Sequence, residues 1–118
     1  MSADRLDRPS QLFFQIAELG ASQMLPGIDR RAVWLDRVML TFFTFAPRAV
    51  VPEHAHENEQ ITVVTKGTMV FTLEDEQRIL RAGDGVCIPP HHRHGAVILD
   101  EETEAYDAWS PPRDDYKH

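Results

Sequence analysis

Two histidines separated by one residue, His54 and His56, give this sequence its clearest chemical signal. In an extended strand, side chains at positions i and i+2 project from the same face, so the two imidazoles are predicted to point together. Neutral imidazole is the commonest protein ligand for divalent transition metals. The pair therefore predicts half of a metal site, and Gln60 and His94 are the candidates to complete it.

The spacing between His56 and Gln60 predicts a turn between them. In an unbroken strand, residues four positions apart are separated by roughly 13 Å, at about 3.3 Å per residue. Two ligands of one ion lie no further apart than about 4 Å, because each bond is about 2.1 Å long. The chain must therefore reverse within the polar residues 57–59, and Gln60 then begins the next strand facing the imidazoles.

The ligand that follows the turn has two candidates in the sequence, Gln60 and Glu59. Glu59 immediately precedes Gln60 and would supply a carboxylate if the turn were one residue shorter. His94 is expected to arrive from a separate hairpin, placed by the rigid proline-containing stretch 88–90. The predicted site is one divalent ion inside a small β-barrel, held by His54, His56, Gln60 and His94.

In the rest of the chain, the spacing of turn residues is typical of an all-β protein. Short segments rich in Val, Ile, Thr and Phe alternate with polar turn sequences, at a spacing typical of a sandwich or barrel. Residues 11–19 are expected to pair as a strand, and residues 17–23 to add a helical turn. A flexible arm over residues 1–10 and a single domain over residues 11–118 are predicted. The other predicted strands span residues 32–35, 38–45, 49–52, 60–65, 68–73, 78–81, 85–88, 94–99 and 103–109.

Composition and charge restrict the class of protein. The 118 residues, 42% of them hydrophobic and 26% charged, are typical of one soluble globular domain. A net charge of −7 argues against a nucleic-acid partner, because phosphates need a basic surface. The longest apolar run, residues 38–46, is too short to cross a membrane as a helix.

Cysteine usage and the N-terminus bear on the compartment. The single cysteine, Cys87, permits no intramolecular disulfide and is expected to be a small buried residue. Residues 1–10 lack the apolar stretch of a signal peptide. A cytoplasmic protein is therefore expected.

Two stretches resemble the paired signatures of the cupin superfamily. The first is His54-x-His56-x(3)-Gln60-x(6)-Gly67, whose spacing to Gly67 favours Gln60 over Glu59 as the ligand. The second is Gly83-x(5)-Pro89-x-His91-x(2)-His94, in which His91 stands where the pattern usually has Gly. The resemblance covers residues 38–109 and implies a double-stranded β-helix, a compact jelly-roll barrel with a metal ion inside.

The first signature departs from the family at its fourth ligand. The cupin pattern usually has Glu where Gln60 stands, and a neutral amide leaves more of the charge of a divalent ion uncompensated. Such an ion polarises a bound oxygen more strongly, which suits Lewis-acid chemistry. The same ligands offset less of the charge of a ferric ion. The departure favours isomerisation, elimination or hydrolysis over oxygen-activating redox chemistry.

The C-terminal segment 107–116 resembles the tail of small cupins typified by pectin-degradation proteins, which convert unsaturated uronates from a ring to an open keto acid. In that subgroup three His and one Gln hold the metal, and an acidic, an aromatic and an arginine residue line the pocket. The resemblance implies that Asp107 is a general acid/base, Trp109 a platform for a sugar ring and Arg113 the clamp for a carboxylate. The sequence departs from the subgroup at Lys66, at the basic run 91–93 and at Trp109, where a smaller Phe is usual.

These features together predict a metal-assisted enzyme, of the isomerase or lyase type, acting without redox change on a small carboxylated sugar-derived or keto-acid substrate. The alternatives are a non-catalytic ligand-binding or sensing cupin and an Fe(II)-dependent dioxygenase. Zn, Ni, Mn, Fe and Co all accept imidazole and amide ligands, so the metal is left undecided. The resemblance also implies a homodimer, with residues 1–12 crossing to the partner. No membrane partner is expected, because the longest apolar run is too short.

Overall fold

The computed structural model describes residues 12–117. The N-terminal arm predicted over residues 1–10 lies outside the described residues. Short 3₁₀ helices span Ile16–Glu18 and Asp114–Tyr116. The strands are β1 (Ser22–Leu25), β2 (Ile28–Trp34), β3 (Met39–Phe45), β4 (Val50–His54), β5 (Glu59–Lys66), β6 (Thr68–Leu73), β7 (Glu76–Arg81), β8 (Gly85–Ile88), β9 (His94–Ile98) and β10 (Thr103–Ser110).

These strands form two antiparallel sheets that pack face to face. The larger sheet has the order β1-β2-β3-β10-β5-β8, and the smaller sheet has the order β4-β9-β6-β7. One apolar cluster between them takes residues from both sheets, among them Val64 of the larger and Met69 and Ile98 of the smaller. The predicted all-β jelly-roll barrel is confirmed.

The two central strands of the larger sheet show how the sequence separates core from site. Along β5 and β10, buried and more exposed side chains alternate, as expected when one face of a strand is covered. Their register pairs Ala105 with Val64 at the apolar end and Trp109 with Gln60 at the other end. Asp107 and its partner Thr62 lie between these pairs. The inner face therefore changes from apolar to polar along the barrel, and the polar end carries the candidate site.

The N-terminal part of the described chain differs from its prediction. Residues 12–19 contain no strand, and the helical turn expected over residues 17–23 is present only as the 3₁₀ helix Ile16–Glu18. The strand prediction was wrong and the helical turn is shorter than predicted, because Ser22 belongs to β1 and pairs with Arg30 across a turn at Gly27. Tertiary pairing of this kind overrides weak local propensity.

Cys87 also differs from its prediction, because it is exposed. It alternates along β8 with the buried Ile88, so its side chain lies on the outer face of the larger sheet. No helix within residues 12–117 combines the length and hydropathy that a membrane span requires.

The turn between β5 and β6 depends on Gly67. Its φ of +82° lies in the left-handed region, and a Cβ at this position would overlap Oγ1 of Thr103 and lie 2.7 Å from the carbonyl oxygen of Glu102. Since part of this contact is with backbone, rotation of a side chain cannot relieve it. Only glycine allows this turn to pack against the start of β10.

We expect Gly67→Ala to lower the free energy of unfolding by about 2–4 kcal/mol, combining left-handed strain with overpacking. Gly83→Ala is the matched control, because Gly83 has a φ of +94° but nothing within 4 Å of its Cβ position. Strain alone should make it cost about 1–2 kcal/mol. Urea unfolding of both variants measures the difference, and equal losses would contradict the packing explanation.

Candidate metal centre

The three candidate histidines reach the polar end of the barrel from two segments. His54 is the last residue of β4 and pairs with His94, the first residue of β9. His56 lies in the loop after β4, so the prediction that one strand carries both His54 and His56 was wrong. The chain leaves the sheet at His54 and turns, and the His56 ring still comes within 4.8 Å, centroid to centroid, of the His94 ring.

A bulge in β4 sets the pairing of His54 with His94. The register shifts between Val51 and His54, where the backbone presses against Gly95. A Cβ on residue 95 would lie 2.9 Å from the carbonyl oxygen of Val51 and 3.1 Å from Cα of Glu53. The absence of a side chain at position 95 therefore permits the bulge that places His54 opposite His94.

Each imidazole is oriented by a backbone carbonyl two residues away in sequence. The Nδ1 atoms of His54, His56 and His94 lie 2.8, 3.1 and 2.8 Å from the carbonyl oxygens of residues 52, 58 and 92. Because a carbonyl only accepts, each Nδ1 carries the hydrogen and each Nε2 is left with a lone pair. This arrangement is typical of metal-binding histidines, whose second nitrogen donates to a fixed acceptor.

The histidines can supply ligand atoms that converge. One ligand nitrogen from each ring lies within 4.8 Å of the other two. Nε2 of His94 is buried and has no hydrogen-bond partner among the described residues. A buried acceptor without a partner is what is expected of a nitrogen that binds a metal ion.

Burial favours the neutral form of two of these imidazoles, those of His94 and His56. It lowers the pKa of His94 to about 4, against a smaller opposing effect of the hydrogen bond to the His92 carbonyl. It also lowers the pKa of His56, with the hydrogen bond to Gln60 acting in the opposite direction. Neutral imidazole is the form that binds a metal.

Gln60, not Glu59, faces the histidines. Gln60 is buried, whereas Glu59 is exposed on the other face of β5. Oε1 of Gln60 lies 3.0 Å from Nε2 of His56. This separation is within the about 4 Å that two ligands of one ion can span. The donor set His54, His56, Gln60 and His94 thus fits a bound cation.

The amide of Gln60 also connects the donor set to Asp107. Its Nε2 donates to Oγ1 of Thr62 at 2.9 Å and to Oδ2 of Asp107 at 3.2 Å. Burial raises the pKa of the Asp107 carboxyl to about 7, although a hydrogen bond with Thr62 acts in the opposite direction. Oδ1 of Asp107 is buried and has no partner among the described residues. One carboxyl oxygen therefore remains available for proton exchange.

The C-terminal segment brings Arg113 and Tyr116 over the same end of the barrel. Arg113 donates from Nε and Nη2 to the carboxylate of Asp115, at 3.2 and 2.9 Å, and its Nη1 is buried without a partner among the described residues. Its guanidinium packs on the rings of Trp109 and Tyr116, at 5.4 and 4.3 Å from their centroids. Arg113 is thus held through Nε and Nη2, and its Nη1 has no acceptor among the described residues.

Trp109 is more deeply buried than expected of a ring that stacks on a sugar at the mouth of a pocket. It is 3% exposed, its indole N–H donates to Oγ1 of Thr41 at 2.9 Å, and its ring lies 5.2 Å from that of His56. A cavity of about 60 Å³ is lined by Trp109 together with His54, Gln60, His94 and Asp107. Trp109 and Asp107 share this cavity, as their i, i+2 spacing predicts.

Two residues of the site were missed by the sequence reasoning. Asn58 is buried, accepts from His56 through its carbonyl and donates from Nδ2 to the carbonyl oxygen of Pro111 at 2.6 Å. The sequence predicts only a turn at this position, and the location of Asn58 between two candidate ligands is the signal that could identify it. Tyr116 lines the cavity, but no pattern in the sequence distinguishes it from a tyrosine in a disordered tail.

His91 adopts the backbone conformation that explains the glycine usual at this position. Its φ is +67°, in the left-handed region, and its N–H donates to the carbonyl oxygen of His56 at 2.7 Å. The side chain is exposed. His91 therefore supports the site through its backbone.

Comparison with known proteins agrees with this geometry. The sequence matches the family described as the Cupin domain over residues 41–107. The pectin degradation protein KdgF of Dickeya dadantii is 35% identical over 92 residues, which cover 76% of this chain and 84% of that protein. These matches confirm the predicted likeness to pectin-degradation cupins.

Solved structures give the same result. The structure of KdgF from Halomonas sp. is 37% identical, with a TM-score of 0.83, and the match covers 87% of this chain and 96% of that one. An RmlC-like cupin from Shewanella frigidimarina is 27% identical, with a TM-score of 0.86, over 91% of this chain and 96% of that one. Since the family match spans more than half of the sequence and the two sheets superpose on solved cupins, this chain belongs to the cupin family.

Proposed function

We propose that this chain is a metal-dependent enzyme that rearranges a small carboxylated, sugar-derived substrate, such as an unsaturated uronate, without redox change. The observation that carries the proposal is that His54, Gln60 and His94 line one cavity with the buried carboxyl of Asp107, and that the His56 ring lies 4.8 Å from the ring of His94. Two similar proteins are named KdgF, and one of them is described as a pectin degradation protein. This likeness supports the substrate class, because pectin is a polymer of uronate.

The donor set supports chemistry without a change of oxidation state. His54, His56, Gln60 and His94 are uncharged as ligands, so they offset none of the charge of a bound ion. A bound divalent ion supplies Lewis-acid polarisation of a substrate oxygen at this position. Zn, Ni, Mn, Fe and Co remain the candidates.

Asp107 is placed to relocate a proton. Opening the ring of an unsaturated uronate removes a proton from the anomeric hydroxyl, breaks the bond from that carbon to the ring oxygen and adds a proton to carbon as the enol becomes a ketone. Nothing is oxidised or reduced in this isomerisation. Oδ2 of Asp107 is fixed by Gln60, and Oδ1 is available to take up and return the proton.

Arg113 supplies the recognition of a carboxylate. Asp115 and the rings of Trp109 and Tyr116 fix its guanidinium plane. Its Nη1 is left to donate a charge-assisted hydrogen bond to the substrate. Trp109 forms part of the apolar wall of the cavity that the metal ligands share.

We expect the purified protein to bind about one divalent transition metal ion, and His94→Ala to lower the affinity at least about 100-fold. His92→Ala is the matched control, because the backbone carbonyl of His92, not its side chain, orients His94. Elemental analysis and the rise in melting temperature on adding Zn²⁺ or Ni²⁺ measure binding. Equal metal content in both variants would contradict the assigned ligand set.

We expect Asp107→Asn to lower kcat on an unsaturated galacturonate by about 10²–10⁴-fold while metal content is unchanged, because an amide cannot accept the proton. Asp100→Asn is the control, since Asp100 is an exposed carboxylate paired with Arg48. Conversion is followed by the loss of the conjugated double-bond absorbance, with oxygen uptake recorded in parallel. Unchanged turnover would remove Asp107 from the mechanism, and stoichiometric oxygen consumption would replace the isomerase with a dioxygenase.

We expect Arg113→Lys to raise KM about 10-fold with a smaller change in kcat, because lysine loses the planar fork that Asp115 and the two rings hold in place. Arg48→Lys, on an exposed ion pair, provides the comparison. A KM equal to that of the wild type would show that the substrate carboxylate is recognised elsewhere.

A further inference from the structure

A second cavity lies beside the metal centre, on the inner face of the larger sheet. It has a volume of about 200 Å³ and is lined by Ser22, Arg30, Ala32, Trp34, Tyr116 and Lys117. Arg30, Ala32 and Trp34 are alternate residues of β2 and so share one face of the strand, and Ser22 is paired with Arg30. None of the metal ligands lines this cavity.

The small side chain of Ala32 and the C-terminal segment together create the cavity. Ala32 lies between two large residues of β2 and leaves a depression between them. Tyr116, at the end of the second 3₁₀ helix, forms one wall and also lines the metal cavity. The two cavities are therefore neighbours with a shared aromatic wall.

The cavity is lined by cations in a protein whose net charge is −7. Arg30 is 6% exposed and packs on the ring of Tyr116, with its guanidinium carbon 4.5 Å from the ring centroid. The side chain of Lys117 is 28% exposed, whereas that of its partner Asp114 is 92% exposed. The nearby Asp115 is paired with Arg113, and its side chain is 61% exposed.

This arrangement turns cationic groups inward and carboxylates outward. Buried or partly buried charges act through a lower dielectric than exposed ones, so an anion inside the cavity feels the cations more strongly than the carboxylates. Trp34 adds an indole ring, 42% exposed, against which the C–H face of a sugar ring can pack. Ser22 adds a hydroxyl that can both donate and accept.

From these observations we infer that the second cavity binds a carboxylate-bearing ring compound. A uronic acid is the class that fits its size, its charge and its aromatic wall. The choice of a uronate rests on the proposed function, whereas the preference for an anion rests on the cavity alone. Lys117 pairs with the carboxylate, Arg30 adds positive charge to the cavity wall, Trp34 packs against the ring, and Tyr116 separates this ligand from the metal cavity.

The two tryptophans allow the two sites to be distinguished in one experiment. The chain contains two Trp, and Trp34 lines the second cavity while Trp109 lines the metal cavity. In ¹⁵N-labelled protein each indole N–H gives its own signal, assigned with Trp34→Phe. Titration with D-galacturonate should shift the Trp34 signal saturably, and D-galactose, which lacks the carboxylate, should bind at least about 10-fold more weakly.

Matched variants test where the ligand binds. Ala32→Leu fills the cavity and should weaken the Trp34 response to galacturonate at least about 10-fold. Ala108→Leu makes the same change on the outer face of the larger sheet and should leave that response unchanged. Lys117→Gln removes one cation at a partly exposed position and should weaken binding about 3–10-fold, more at low salt than at high salt.

Equal responses to galacturonate and galactose, or an Ala32→Leu variant that binds normally, would overturn the inference. A shift of Trp109 alone would also overturn it while leaving the metal-centre proposal intact. A shift of Trp34 alone, with no turnover of unsaturated uronate, would support the second cavity and reject the proposed reaction.

Discussion

The candidate centre depends on hydrogen bonds from three imidazoles to backbone carbonyls two residues away in the chain. Each bond holds the proton on Nδ1 and fixes the ring, so that the other nitrogens of His54, His56 and His94 converge. Because the acceptor lies two residues away in sequence in each case, ring orientation follows from local backbone geometry. Preorganisation of this kind is what a metal site requires, since it leaves little to be reorganised when the ion binds.

The sheets provide the second constraint, which is the register of β5 against β10. This pairing places Asp107 beside Thr62 and Trp109 beside Gln60, so one cross-strand ladder supplies a fourth ligand, a carboxyl group and an aromatic wall. A shift by one residue would turn all of them to the outer face. Packing of Val64 and Ala105 at the apolar end of the same ladder fixes the register, and the core in this way positions the chemistry.

Much of this could be predicted from the sequence, because strand parity and ligand spacing are local properties. The alternation that places Gln60 inside and Glu59 outside agrees with the motif spacing to Gly67. The position of His56 could not be derived correctly, since the strand ends at His54 and the turn, not the pleat, returns the imidazole to the site. Asn58 and Tyr116 were missed for a related reason. Their partners are distant in sequence, and Arg30 becomes important only when β2 and the C-terminal segment meet.

The close packing at Gly95 has a consequence for the evolution of the centre. The separation between the two facing histidines depends on how tightly a bulged backbone can approach a residue that contributes no atoms beyond its main chain. A substitution at position 95, which is not a ligand, can therefore change the spacing of the ligands and with it which ion the centre prefers. Divergence in metal usage among proteins with identical donors can arise at such a position, where an alignment restricted to the ligands would register no difference.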